Sequence, residues 1–172
     1  DLFYLSGIDQ EDSILLIFPD VKDGKHKEVL FLKETSELIA IWEGAKLTKD
    51  QATQVSGIEH VYWISEFDKV FKSLAFQAEN IYLNSNEHTR RYIDMETAEM
   101  RFNNKIKQQL PLHTIQRSGP IMHKIRSVKH PIEIELMQQA CDITEKGVRR
   151  LLNFIKTGVT EYEIEAELIH EF

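Results

Sequence analysis

Residues 58–77, IEHVYWISEFDKVFKSLAFQ, set an apolar run directly against a helical pattern. Ile58–Ile64 is rich in β-branched and aromatic residues, the composition of a short strand. Ser65 is a candidate N-cap. Phe67, Val70, Phe71 and Leu74 then recur on one face of a helix that reaches Gln77. A strand that runs straight into an amphipathic helix predicts an α/β arrangement.

The pattern repeats on both sides of this stretch. Upstream, Ser13–Phe18 and Glu28–Lys33 are aliphatic runs joined by a polar connection with Pro19 and Gly24, which predicts a hairpin-like pair. Thr48 with Gln51 predicts the capped start of a short helix ending at Ser56. Downstream, Asn80–Leu83 reads as a strand and Glu96–Leu110 as a helix stopped by Pro111. Leu112–Gln116 reads as a last strand. The whole predicts a mixed sheet with helices on its faces. Leu2-Phe3-Tyr4-Leu5 reads as strand-like, turning at Ser6-Gly7, and Ile41-Trp42-Glu43-Gly44 as a loop with an aromatic before a glycine turn.

A boundary is expected near His130. Pro131 suits the first position of a helix, and an apolar stripe from Ile132 to Ile155 follows for about six turns. Thr157-Gly158 is its expected end. Thr160 with Glu163 predicts a second capped helix running toward Phe172, apolar at Ile164, Leu168 and Phe172. Two helices cannot bury their faces alone. The chain therefore reads as an internal fragment: an α/β domain over 1–129, then the start of a second domain over 130–172. The absence of an initiator Met and the apolar first residues point the same way.

Composition narrows the function class. Of 172 residues, 42% are hydrophobic, a globular value. No apolar run exceeds five residues, the length of Ile14–Phe18, far below the roughly 20 residues of a membrane span, so no membrane partner is expected. One cysteine and no visible secretory leader make a cytoplasmic protein the expectation. The formal charge of −7 argues against nucleic acid as a partner. The charge is uneven, however. Residues 101–130 hold seven Lys or Arg and no acid, whereas 131–172 hold nine acids against four bases. The plain reading is a basic surface beside an acidic neighbour of the same protein; a polyanion site is the alternative.

Candidate chemistry is sparse. Glu167-x-x-His170 has the spacing of carboxylate-bridged metal bundles but lacks its second copy. His170-Glu171 could open a zinc motif whose second His is not in the chain. His113, His123 and His130 match no ligand spacing. Cys141, mid-helix, reads as a buried, inert thiol. The seven glycines are too scattered for a phosphate loop or nucleophile elbow. No catalytic residue and no metal ligand is assigned. Trp42 reads either as a core plug or as a contact to a ligand or subunit.

Several of these stretches resemble one family. Phe3-Tyr4-Leu5-Ser6-Gly7-Ile8 is similar to the Tyr-Leu-Thr-Gly turn of the amino-terminal domain of creatinase, prolidase and aminopeptidase P. Glu37–Leu47, ELIAIWEGAKL, resembles the aminopeptidase P version, with its Ile-Trp-x-Gly. His123–Ile134 resembles the family's Arg-x-x-Lys-Ser-Pro-x-Glu-Ile junction, with His130 in the usual Ser place. Gly158–Ile164 and His170-Glu171-Phe172 resemble the first helices of the catalytic domain.

The resemblance implies a ribonuclease-H-like mixed sheet flanked by helices, its first strand and helix missing, followed by the first helices of an α+β pita-bread domain. It implies a parent Xaa-Pro metalloaminopeptidase that removes the amino-terminal residue preceding proline. The parent would use two manganese ions held by two Asp, one His and two Glu, all downstream of Phe172. This chain alone is then expected to be inactive and to bind no metal. Its partners would be a peptide with proline in second position and further copies of itself. Trp42 is implied as a substrate-binding residue, in a neighbouring subunit's channel. Alternatives within the resemblance are a prolidase acting on dipeptides and a metal-free module that binds peptides or proteins.

Overall fold

The computed structural model describes residues 1–87 and 95–172. The chain divides into two compact units, residues 1–122 and 123–172.

In the first unit, β1 (Ile14–Ile17) pairs antiparallel with β2 (Glu28–Leu32), and β2 pairs parallel with β3 (His60–Trp63). β2 is central, which explains its sequence. Val29, Leu30, Phe31 and Leu32 are all fully buried, as a strand covered on both faces requires. Its side chains alternate between two cores. Val29 and Phe31 join Phe67, Phe71, Leu74, Ile106 and Leu110 on one face. Leu30 and Leu32 join Ile8, Ala52 and Ile58 on the other.

The first core is supplied by α4 (Phe67–Ala75) and α5 (Ala98–Gln109), the second partly by α3 (Lys49–Ser56). Phe67 sits at the centre of the first core: its ring lies edge-on to Phe31 at 5.0 Å and stacks on Phe71 at 5.1 Å. Lys105 of α5 reaches Asp68 of α4 at 2.7 Å, cross-linking the two helices. α3 begins as the sequence predicts: Gln51 N–H donates to Thr48 Oγ1 and Thr48 N–H donates to Gln51 Oε1. β4 (Asn80–Leu83) and β5 (Thr114–Arg117) form a separate parallel pair, with Ile81 and Leu83 packed on the first core. The mixed α/β arrangement with flanking helices is therefore present, as a three-stranded mixed sheet and a separate two-stranded parallel one.

Local structure departs from the sequence reading in several places. Residues Leu2–Ser6 form a short helix, α1, not a strand. Gly7 closes it at φ 71, its N–H bonded to Phe3 C=O, and the Ser6 hydroxyl donates to Leu2 C=O. The apolar run is thus sided rather than alternating: Leu2 and Ile8 pack in the second core while Phe3 is exposed. Ile41-Trp42-Glu43 is not a loop but the end of a helix, α2 (Glu37–Glu43), capped by Ser36. Gly44 follows at φ 84, a conformation other residues rarely adopt. Ser65 is not an N-cap. It lies in a 3₁₀ turn, Ile64–Glu66, and its hydroxyl donates to Glu34.

A helix that the sequence reading left out, α6 (Gly119–Ser127), follows β5. The second unit contains α7 (Pro131–Phe154) and α8 (Glu161–Ile169). α7 ends at Phe154, three residues before the Thr157-Gly158 expected to stop it. His130 N–H donates to Glu133 Oε2 at the start of α7, and the Thr160 N–H and hydroxyl both donate to Glu163 Oε2 at the start of α8. α8 stops at Ile169 rather than running to Phe172. Arg150 of α7 joins the two helices, bonding Glu167 at 2.5 Å and Glu171 at 2.9 Å.

Candidate functional site

The feature of the first unit that packing does not explain is α2. Leu38, Ile41 and Trp42 are 68, 75 and 82% exposed. Trp42 is in neither hydrophobic core of this chain. It stands on the surface, one residue before the acid that ends the helix. Glu43 Oε2 accepts from Lys33 Nζ at 2.8 Å, just past the end of β2. That ammonium holds the Glu43 carboxyl below the usual carboxylate range. Lys46 Nζ lies 3.6 Å from the same Glu43 oxygen and 2.5 Å from Glu11 Oε1.

The other sequence candidates are scattered. Cys141 is exposed, not buried. Its neighbours Ala140, Thr144, Val148 and Leu152 line an open, shallow surface along α7. α7 has one helix against it in its unit, too little to enclose a side chain on its far face. His113 is locally bonded, Nε2 lying 3.0 Å from Ala75 C=O. His123 and His130 are exposed on separate turns. Glu167 and Glu171 bond Arg150, the ordinary role of an ion pair between helices. Two bases of the basic segment in the first unit are paired, Lys105 with Asp68 and Arg117 with Glu87.

Sequence reading missed one cluster. Asp23 Oδ2 lies 2.6 Å from His26 Nδ1, His26 Nε2 lies 3.2 Å from Tyr62 Oη, and the His26 and His60 rings stack at 4.6 Å. The backbone N–H groups of Lys25 and His26 also donate to Asp23 Oδ1. Hydrogen bonding from His26 first, then from these amides, lowers the Asp23 carboxyl to about 2. The cluster pins the β1–β2 connection onto β3. The available signal was the Asp-x-x-His spacing, with His60 and Tyr62 two apart on one strand face.

Among the described residues, no group of three or more His, Cys, Asp or Glu comes together to hold a metal ion. Among the same residues, no helix is long and apolar enough to cross a membrane.

Residues 1–82 match the family described as the aminopeptidase P N-terminal domain. Similarity to aminopeptidase P continues beyond it. The chain is 28% identical to the Xaa-Pro aminopeptidase of Haemophilus influenzae over 170 residues, 99% of this chain and 37% of that protein. It is 25% identical to the Xaa-Pro aminopeptidase of Escherichia coli over 174 residues, 100% of this chain and 39% of that protein. The fold superposes on a Bacillus anthracis structure assigned as aminopeptidase P with a TM-score of 0.82, at 25% identity, covering 99% of this chain and 40% of that one. It superposes on zinc-substituted E. coli aminopeptidase P in complex with product at 0.77, with 25% identity and 39% of that chain covered. The chain thus spans about two fifths of the length of the aminopeptidase P relatives it matches.

Proposed function

We propose that this chain is the amino-terminal, non-catalytic portion of a metal-dependent Xaa-Pro aminopeptidase, a hydrolase that removes the amino-terminal residue preceding proline. Residues 1–129 form the amino-terminal domain, and 130–172 begin the pita-bread domain. The two metal ions, manganese in this reading, are held by two Asp, one His and two Glu downstream of Phe172. The chain by itself is inactive. The complete protein is cytoplasmic and assembles from several copies.

Within that assembly this portion shapes substrate access and subunit contacts. The observation that carries the reading is an exposed Trp42 on a helix whose sequence resembles aminopeptidase P. An indole in water at no structural cost is suited to contact a ligand or partner. Trp42 would meet substrate in a neighbouring subunit's channel.

The test is Trp42→Ala in the complete protein. The reading expects a lower kcat/KM on longer Xaa-Pro peptides and an unchanged melting temperature. Unchanged kcat/KM at every peptide length removes Trp42 from substrate binding. Cleavage of Xaa-Pro dipeptides without cleavage of longer peptides assigns a prolidase instead. Loss of two or more of the five downstream ligands from the parent sequence makes the protein a metal-free binding module.

A further inference from the structure

α2 is only lightly packed: Ile39 and Ala40 are half-buried, and Leu38, Ile41 and Trp42 are exposed. Among the described residues, neither hydrophobic cluster includes any of its side chains. A helix of seven residues is marginal on its own. Ser36 caps its start, but a cap fixes no direction in space.

Direction is supplied at the other end by charge. Lys33 follows the fully buried Leu32 of β2, so its backbone is fixed by the sheet. Its ammonium donates to Glu43 Oε2 at 2.8 Å. Lys46 approaches the same oxygen, Oε2, at 3.6 Å, and its nearer partner is Glu11 in the loop before β1, at 2.5 Å. The Lys46 side chain is only 5% exposed, although it ends in a cation. A buried stem with its head between two carboxylates cannot swing into water without losing both burial and charge pairing. The neighbouring backbone is anchored as well: Leu47 N–H donates to Gln10 Oε1 at 2.8 Å, and Leu47 packs on the second core. One carboxylate, adjacent in sequence to Trp42, thus links a lightly packed helix to the sheet end and, through Lys46, to the loop before β1.

We propose that Glu43 and Lys46, with Lys33 and Glu11 as their partners, are positioning residues that fix the direction in which α2 presents Trp42. This deepens the reading of Trp42 as a substrate contact and rests on it for its effect on turnover. None of the four residues is asked to touch substrate.

The experiment compares Glu43→Gln, Lys46→Met, Lys46→Arg and Trp42→Ala in the complete protein by two readouts. The first is amide hydrogen exchange across residues 37–43. Glu43→Gln and Lys46→Met, which remove charge and keep shape, should speed exchange there and leave β2 unchanged; Lys46→Arg, which keeps the cation, should not. The second is kcat/KM on long against short Xaa-Pro peptides. Glu43→Gln and Lys46→Met should lower that ratio by about two- to fivefold, in the same direction as Trp42→Ala, the range that surface ion-pair energies convert to. Unchanged α2 exchange in Glu43→Gln overturns the positioning role, whatever Trp42→Ala does. Faster α2 exchange with no change in the peptide-length ratio, while Trp42→Ala does change it, also overturns it. Faster exchange together with a silent Trp42→Ala leaves the clamp in place and sinks the substrate-contact reading alone. Should Lys46→Met fail to fold, the exposed Glu43→Gln carries the test.

Discussion

Gly147 of α7 faces Leu168 of α8 so closely that a Cβ at 147 would stand 2.9 Å from Leu168 Cδ1, with Phe172 Cε2 at 3.5 Å. Glycine in a helix interior costs about 1 kcal/mol relative to alanine. Here that cost is met because the two helices approach through the missing side chain.

Gly147 therefore gives a graded prediction. Gly147→Ala should be close to neutral, since the gain in helix propensity offsets the shift of one terminal methyl. Gly147→Leu should destabilise the helix pair by about 1–3 kcal/mol through overpacking. Thermal unfolding of the two variants side by side checks this. Equal stability of the leucine variant and the native protein would show that the helices do not approach there.

The Asp23–His26 contact predicts a pH dependence. The Asp23 carboxyl lies at about 2 in the folded protein, against 3.8 without its partners. A carboxyl lowered by folding adds stability above its unfolded pKa, and that stability is lost as pH falls through the folded one. The melting temperature of the native protein should therefore exceed that of Asp23→Asn above about pH 4, with the gap closing toward about pH 2. A carboxyl-carbon NMR titration gives the direct check: Asp23 should move up toward 3.8 in His26→Ala, and no movement would mean that the backbone amides alone hold it.

Leu30 and Phe31 test the burial of β2 on both faces. They are adjacent, fully buried, and belong to different cores. Leu30→Ala should cost about 2–5 kcal/mol and Phe31→Ala about 3–5 kcal/mol. Denaturant unfolding midpoints should drop for both. A sheet covered on one face only would spare one of the two.

Trp42→Ala should change stability by no more than about 0.5 kcal/mol, the usual range for a surface position. The same truncation in a core would cost about 3–5 kcal/mol. A melting-curve comparison separates these values, and a large loss would mean that another part of the protein covers Trp42.

Much of the fold was legible because the period of the sequence matches the element it forms. The run VLFL at 29–32 has no polar break, and only a strand buried on both faces accommodates that. Phe67, Val70, Phe71 and Leu74 repeat at helical spacing, and the first core gathers all four. Thr48 with Gln51 and Thr160 with Glu163 marked two helix starts through local hydrogen bonds that need no tertiary partner. The errors lay where local pattern and tertiary setting disagree. Leu2–Leu5 looks like a strand, but Gly7 and the Ser6 hydroxyl close a helical turn around it. Ile41-Trp42 looks like a loop because its apolar residues have no core to face, so amphipathicity could not reveal the helix.

By itself the sequence determined the alternation of strands and helices, most element positions, and the resemblance to aminopeptidase P. Those depend on side-chain periodicity, on caps and on short motifs, all read within a few residues. Tertiary structure decided that Trp42 is exposed, that Cys141 is exposed, and that Lys33, Glu43, Lys46 and Glu11 meet at the end of α2. It also decided that Asp23, His26, His60 and Tyr62 form one cluster. Asp23 with His26 and Glu43 with Lys46 are three apart, but each set closes only through residues ten to 36 positions away, which no local spacing encodes. Exposure is set by what else packs nearby, and an ion pair by which backbone segments the sheet brings together.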